Sequence, residues 1–118
     1  LRGIEYSDSL RQGRREREGR ERIAFDRETD RIHIEAPDEL TIDAGGRGRR
    51  IRIAKNGMPD VVVWNPWIEK SRRMEDFGDD EYRSMLCVET GNIVSPAVVK
   101  PGARWEGETI FSEQSDAQ

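Results

Sequence analysis

Alternation of apolar and polar residues in the first half of the chain is the feature that most constrains the fold. In three short runs an isoleucine or leucine occupies every second position, with charged or polar residues between. The apolar positions are Ile32 and Ile34, Leu40 and Ile42, and Ile51 and Ile53. Because side chains alternate between the two faces of a strand, this period of two predicts half-buried antiparallel strands. The intervening turn residues, 36–38 and 45–48, predict that the three strands form a meander.

Two further runs are apolar on both faces, which predicts strands in the middle of a sheet. They are Val61-Val62-Val63-Trp64 and Met85-Leu86-Cys87-Val88. Residues 68–75 contain good helix formers and predict one short helix. A closing strand is expected from Trp105 to Phe111, and residues 112–118 are expected to be a frayed tail. The predicted fold class is therefore all-β, an antiparallel β-sandwich or an open fragment of one.

The composition fits a single domain with a thin core over residues 1–118. Charged residues make up 37% of the 118 residues and hydrophobic residues 34%, and the mean hydropathy is -0.88. No apolar run approaches the roughly 18–20 residues of a membrane span, so no membrane partner is expected. No secretory signal is visible. The chain begins with Leu1 instead of methionine, which is expected of a processed or truncated product.

The cysteine count and the net charge limit the partners and the location of the protein. Cys87 is the only cysteine and cannot form an internal disulfide, so a reducing, cytoplasmic location is expected. Cys87 and His33 are too few soft ligands for a structural zinc site. The net charge of -4 argues against a nucleic-acid partner. A local pocket of opposite sign can nevertheless bind a small anion.

Residues 11–22 form a charged segment with six arginines, three glutamates, two glycines and no aromatic residue. One interpretation is a patch that binds phosphate or nucleic acid. The favoured interpretation is a solvated loop, because the interleaved glutamates cancel much of the positive field and no side chain can stack on a base.

Two carboxylates interrupt the strand patterns and are the candidate site residues. Asp30 is in phase with Ile32, so it is predicted to point toward the apolar side, where a carboxylate needs a hydrogen bond or a ligand. Its alternative role is to bond a nearby backbone N–H at the start of the strand. Glu89 directly follows an apolar run, and an apolar flank can suit a glutamate to work as a general base. Its alternative role is a strand-end carboxylate that reaches water.

The other residues with chemical potential have simpler interpretations. His33, the only histidine, shares its strand phase with Arg31 and is predicted to be exposed to solvent. Trp64 and Trp67 can stack on a sugar ring, although a role in the core is favoured for both. The acidic residues from Asp76 to Glu81 do not match the spacing of a calcium loop and are interpreted as a solvated turn.

Four segments, in this order, resemble the C-terminal part of hexose-6-phosphate mutarotases, also called glucose-6-phosphate 1-epimerases, of the aldose-1-epimerase-like group. They are Thr29-Asp30-Arg31-Ile32, Val63-Trp64-Asn65-Pro66-Trp67-Ile68-Glu69-Lys70, Asp76-Phe77-Gly78-Asp79-Asp80-Glu81-Tyr82 and Met85-Leu86-Cys87-Val88-Glu89. The resemblance covers nearly the whole chain. The segments around Trp64 and Cys87 are together its most specific part.

The resemblance implies a galactose-mutarotase-like β-sandwich that binds a sugar on its open face and interconverts the α and β anomers of a hexose 6-phosphate. It implies that Glu89 is the general base, that Asp30 binds sugar hydroxyls, and that no metal or organic cofactor is needed. Members are more than twice as long, and their upstream part carries the catalytic histidine and the arginines that hold the phosphate. His33 does not match that histidine.

The resemblance therefore leaves three expectations for the chain itself. The first is that it supplies the base and part of the sugar site, with the missing N-terminal part present in the same gene or as a separate chain. The second is a non-catalytic carbohydrate-binding or interaction module. The third is an incomplete fragment that is inactive alone.

Overall fold

The computed structural model describes residues 1–44 and 48–115, and within them the chain forms eight strands and one α-helix. The strands are β1 (Glu5–Asp8), β2 (Arg14–Arg17), β3 (Thr29–His33), β4 (Glu39–Asp43), β5 (Arg49–Asn56), β6 (Asp60–Asn65), β7 (Cys87–Gly91) and β8 (Glu108–Ser115). The helix is α1 (Trp67–Arg73), and single 3-10 turns lie at Ser9–Arg11 and Glu81–Ser84. The predicted short helix is thus confirmed.

The strands form two antiparallel sheets. The five-stranded sheet has the order β2-β1-β3-β6-β7, and the three-stranded sheet has the order β4-β5-β8. The sheets are joined by side chains, since the Lys55 ammonium donates to the Ala36 carbonyl at 2.8 Å and the hydroxyls of Thr90 and Thr109 bond to each other. The predicted all-β, sandwich-like fold with one short helix is confirmed.

The strand register divides the five-stranded sheet into two faces. Residues paired across antiparallel strands share a face, and alternate residues along a strand share a face. We call one side the covered face; it carries Tyr6, Thr29, Arg31, His33, Val61, Val63, Asn65, Val88 and Thr90. We call the other side the open face; it carries Asp30, Ile32, Val62, Trp64, Cys87 and Glu89. Val61 and Val63 are at most 5% exposed and form the core with Ala36, flanked by Phe25, Leu40, Leu86 and Val88.

The predicted three-stranded meander is wrong, because β3 does not pair with β4. β3 pairs with β1 and β6 in one sheet, whereas β4 and β5 form a hairpin in the other. The chain changes sheets at a corner where Glu35 has a φ of 49° and Ala36 is buried in the core. The Asp60 carboxylate accepts the backbone N–H of Glu35 and holds the corner. Period-two alternation predicts a strand but does not identify its partner.

The two strands expected to be buried on both faces are only partly so. β6 is indeed central, but Val62 and Trp64 on the open face are half-buried. β7 begins later than predicted, at Cys87, and forms the edge of the five-stranded sheet as far as the structure describes it. The apolar runs therefore identified both strands correctly. They did not predict that the described residues cover only one face of each strand.

The charged segment 11–22 is not entirely a loop, because β2 lies within it. Its charged side chains form ion pairs within β2 and with β1. Arg14 pairs with Glu16 in β2, and Arg15 pairs with Glu5 of β1. The C-terminal tail also departs from expectation, since residues 112–115 belong to β8, which pairs with β5 throughout its length. Residues 45–47 of the predicted turn and 116–118 of the predicted tail lie outside the described residues.

No helix in the described part of the chain is long and apolar enough to cross a membrane.

Candidate functional site

The two carboxylates singled out from the sequence lie on the same face of the five-stranded sheet. In the register, Asp30 of β3 pairs with Trp64 of β6, which pairs with Cys87 of β7. Glu89 lies two residues after Cys87 and pairs with Val62. Asp30 and Glu89 are therefore both on the open face, on strands separated only by β6. Two strand spacings across the sheet and two residues along the strand separate their backbone positions by roughly 12 Å, so the two carboxylates can contact different atoms of one small ligand.

Asp30 has no protein partner among the described residues. Its side chain is half-buried beside Trp64, and within the described part of the chain its carboxylate forms neither a hydrogen bond nor an ion pair. The alternative role of bonding a nearby backbone N–H is therefore not observed. A half-buried carboxylate without a donor is free to accept hydrogen bonds from a ligand's hydroxyl groups.

The Glu89 side chain is exposed, which agrees with the alternative of a carboxylate that reaches water. The expected apolar flank is present below it, since Val62 lies directly across the strand pair, but the described residues leave the Glu89 side chain exposed. Burial, together with the nearby Glu89 carboxylate, raises the pKa of the Cys87 thiol. Cys87 therefore stays a thiol at neutral pH and is unsuited to act as a nucleophile.

Asp60, at the start of β6, holds the backbone that follows Glu89. Its buried carboxylate accepts the backbone N–H groups of Ile93 and Val94, both at 2.9 Å, and that of Glu35 at 3.1 Å. Burial opposes the ionisation of Asp60, but these three N–H groups hold its pKa below the ordinary value. An ionised Asp60 thus links the end of β7 to the corner after β3.

Asn65, at the other end of β6, holds the backbone that precedes Glu89. Its buried amide donates to the carbonyl oxygens of Tyr82 and Met85, both at 3.0 Å, and its side-chain oxygen accepts the Trp67 N–H at 2.8 Å. Both ends of β7 are therefore tied to β6. The sequence reasoning missed Asp60 and Asn65, although a polar residue at each end of an apolar run was a usable signal.

The two tryptophans of the segment 64–67 differ in position. Trp64 is half-buried on the open face, next to Asp30, with the Lys70 ammonium 5.7 Å from its ring centroid. Trp67 packs against Tyr82 with ring centroids 5.0 Å apart. Its backbone has a φ of 58°, which is uncommon for a bulky residue and is held here by the Asn65 side chain. Trp64 is therefore the better placed of the two to stack on a sugar bound near Asp30.

The prediction that His33 is exposed is wrong. His33 is 1% exposed on the covered face, with its ring centroid 5.4 Å from that of Tyr6, and neither ring nitrogen has a hydrogen-bond partner among the described residues. Burial lowers its pKa to about 4, so the imidazole is neutral at pH 7. The strand phase was right, but the side of the sheet assigned to it was not, because Arg31 shares that face and is itself mostly buried.

The acidic turn is solvated in the structure. The backbone N–H of Gly78 donates to the Glu81 carboxylate at 2.9 Å, and Asp76, Asp79 and Asp80 are exposed. Within residues 1–44 and 48–115, no three histidine, cysteine, aspartate or glutamate side chains lie close enough together to hold a metal ion.

Comparison with known proteins places this face in a family context. The family model described as Aldose 1-epimerase matches residues 2–112. A Cenchrus ciliaris protein named "Putative glucose-6-phosphate 1-epimerase" is 38% identical over 112 residues, which is 95% of this chain and 34% of that protein. An Escherichia coli (strain K12) protein of the same name is 35% identical over 66 residues, which is 56% of this chain and 22% of that protein.

The family match covers nearly the whole of this chain, whereas each relative is matched over only part of its own length. The matched residues include β3 with Asp30 and β7 with Glu89. The chain spans about a third of the length of the Cenchrus ciliaris relative. On the extent of the family match, the chain belongs to the aldose 1-epimerase family.

Proposed function

We propose that this chain provides the general base and part of the sugar site for the interconversion of the α and β anomers of a hexose 6-phosphate. The observation that carries the proposal is the shared open face, on which Asp30, Trp64 and Glu89 lie together. Family membership supplies the reaction class. The name shared by the two relatives supports glucose 6-phosphate as the substrate.

The proposed chemistry uses Glu89 as the base. The Glu89 carboxylate removes the proton of the anomeric hydroxyl, whose oxygen forms the carbonyl as the bond from the anomeric carbon to the ring oxygen breaks. A general acid protonates the ring oxygen. Rotation about the bond to the carbonyl carbon and reclosure then give the other anomer. Asp30 accepts hydrogen bonds from sugar hydroxyls, and Trp64 offers an apolar surface to the ring.

Among the described residues, no histidine lies on the open face to serve as the acid that this reaction needs. His33, the only histidine, is on the covered face, so it cannot reach a sugar that contacts Glu89. This observation supports the view that a further protein segment, in the same polypeptide or a separate chain, supplies the acid. It also favours a second candidate function, a carbohydrate-binding module without catalysis.

The test is the rate at which pure α-glucose 6-phosphate equilibrates, followed by NMR with and without the protein, in samples that include the further segment that supplies the acid. Positioned acid–base groups contribute about 10²–10⁴ each, so we expect Glu89→Gln to reduce the acceleration by a factor in that range. Glu75→Gln, in the exposed acidic turn, is the matched control and should leave the rate unchanged.

Binding measured on the same samples separates the two candidate functions. Transfer of saturation from the protein to glucose 6-phosphate without faster anomerisation would support the binding module. Acceleration that is unaffected by Glu89→Gln would contradict the assignment of the base.

A further inference from the structure

A second candidate site lies on the covered face of the five-stranded sheet. It is at the part of the sheet that β1 and β3 form. A cavity of about 300 Å³ opens there between the sheet and the segment that follows β2. Its walls include Tyr6, Thr29 and Arg31 from the sheet, and Glu18, Arg20 and Arg27 from the residues between β2 and β3. Most ligand pockets are lined mainly by apolar groups, whereas this lining is dominated by charged side chains.

The charge of the cavity is opposite to that of the chain. Four arginines line it, at positions 17, 20, 27 and 31, against the two carboxylates of Glu18 and Asp26. The formal charge of the lining is therefore +2, whereas the whole chain carries -4. A partly enclosed pocket concentrates such a local field, so it can attract an anion to an acidic protein.

Arg31 is the arginine with unused hydrogen-bonding capacity. Its side chain is 19% exposed and its guanidinium lies 4.5 Å from the centroid of the Tyr6 ring. The Asp8 carboxylate forms an ion pair with it at 3.7 Å, a distance too long for a hydrogen bond, and the guanidinium forms no hydrogen bond within the described residues. A guanidinium carries five N–H donors, and leaving them without acceptors in a mostly buried position is unfavourable.

The neighbouring arginines are already engaged. Arg20 donates to the Glu18 carboxylate and to the Ala24 carbonyl. Arg27 donates to the Asp26 carboxylate. These pairs fix the positive groups around the cavity, and the planar donor set of Arg31 matches the paired oxygens of an oxyanion.

We propose that this cavity binds a small oxyanion of the phosphate type, with the Arg31 guanidinium as its principal donor. The site is separate from the proposed sugar site, because Arg31 lies on the covered face and Asp30 and Glu89 lie on the open face. A hexose 6-phosphate whose sugar contacts Glu89 cannot place its phosphate here, since the sheet lies between them. The proposal therefore does not depend on the proposed function.

Titration of the ¹⁵N-labelled chain with inorganic phosphate tests the site directly. We expect saturable shifts of the backbone amides of residues 17–20 and 29–31, with no saturable shifts at 87–91. Sodium chloride at the same ionic strength should not reproduce them. Equal effects of chloride and phosphate, or phosphate shifts centred on Glu89, would overturn the proposal. A parallel titration with glucose 6-phosphate shows whether free phosphate or a phosphate ester is preferred.

Variants then test the role of each arginine. Arg31→Gln should weaken phosphate binding about tenfold or more, because it removes a charge-assisted donor pair. Arg15→Gln is the matched control, since Arg15 is an exposed arginine of β2 that pairs with Glu5 outside the cavity. Should Arg31→Gln fail to fold, Arg31→Lys replaces it, because lysine keeps the positive charge but lacks the planar pair of donors. An unchanged affinity in whichever of the two variants folds would overturn the proposal.

Discussion

The two faces of the five-stranded sheet use polar residues in different ways. On the covered face and at the ends of β6, buried polar groups are mostly bonded to backbone, as Asp60 and Asn65 are. On the open face, Asp30 and Glu89 have no bonded partner in the described part of the chain. Since an unpaired polar group is tolerated mainly where water or a ligand can reach it, the unpaired carboxylates suit the open face for contact with a ligand. On the covered face, His33 and Arg31 are exceptions, because neither side chain forms a hydrogen bond within the described residues.

The largest expected effect of a single substitution is at Asp60, one of the buried polar residues that are bonded to backbone. Asp60→Ala should lower the free energy of unfolding by about 4 kcal/mol, because it removes a charged acceptor from three backbone N–H groups. Urea denaturation measures this change, and Asp76→Ala in the exposed turn is the control. A loss below about 1 kcal/mol would mean that Asp60 does not hold the ends of β3 and β7.

Acidification should weaken the covered face through His33. The imidazole has a pKa of about 4 when buried and an ordinary value of 6.5, so between these pH values the unfolded chain binds the proton more readily. Stability from this group is complete above pH 6.5 and is lost as the pH falls toward 4. The shift corresponds to about 3 kcal/mol. The charged or titratable groups around the ring are Tyr6, Glu18, Arg20, Arg31 and the N-terminal amine.

His33→Phe isolates this contribution, because phenylalanine keeps a planar ring without a titratable nitrogen. We expect the unfolding free energy of the variant to vary less with pH over the same window, as measured by urea denaturation at half-unit steps. Identical pH profiles for the variant and the parent chain would show that the imidazole is not buried in the folded protein.

Two adjacent valines give the most closely matched comparison of the faces. Val63 is 5% exposed on the covered face, whereas Val62 is half-buried on the open face. Val63→Ala should reduce stability by about 2 kcal/mol, and Val62→Ala by less than about 1 kcal/mol, because only the first leaves a cavity in a packed core. Thermal or urea unfolding of the two variants measures both values. Equal losses would mean that both faces are covered in solution.

The smallest expected effect on stability is at Asp30. Asp30→Asn should change the unfolding free energy by no more than about 0.5 kcal/mol, because the carboxylate has no bonded partner to lose. The same substitution should weaken the binding of glucose 6-phosphate, measured by NMR titration. A large loss of stability with intact sugar binding would reverse the comparison and make Asp30 a structural residue.

The sequence identified most strands but not how they pair. Alternation located β3, β4 and β5, and the apolar runs located β6 and the start of β7 to within two residues. The partner of β3 was assigned wrongly, because a local pattern contains no information about which distant strand supplies the hydrogen bonds. β2 was missed for a related reason, since its charged residues have low strand propensity and become a strand through pairing with β1.

The residues of the candidate site also divide into those that the sequence identified and those that only the structure revealed. Asp30 and Glu89 were selected because each carboxylate breaks an apolar pattern, and the structure brings them to one face. Asp60 and Asn65 were missed because their roles depend on backbone groups some 17–34 residues away in the chain. The burial of His33 was missed because strand phase groups residues by face without telling which face is covered.

The sequence by itself determined the class of fold and the family resemblance, and it identified Asp30 and Glu89 as candidate site residues. It could do so because period-two alternation and short motifs are local properties of the chain. Only the tertiary structure decided which side of the sheet is covered, that Asp30 and Glu89 share the other side, and that Arg31 lines a separate cavity. These features depend on the register between distant strands, which is set by the packing of the two sheets and by buried side chains such as Asp60.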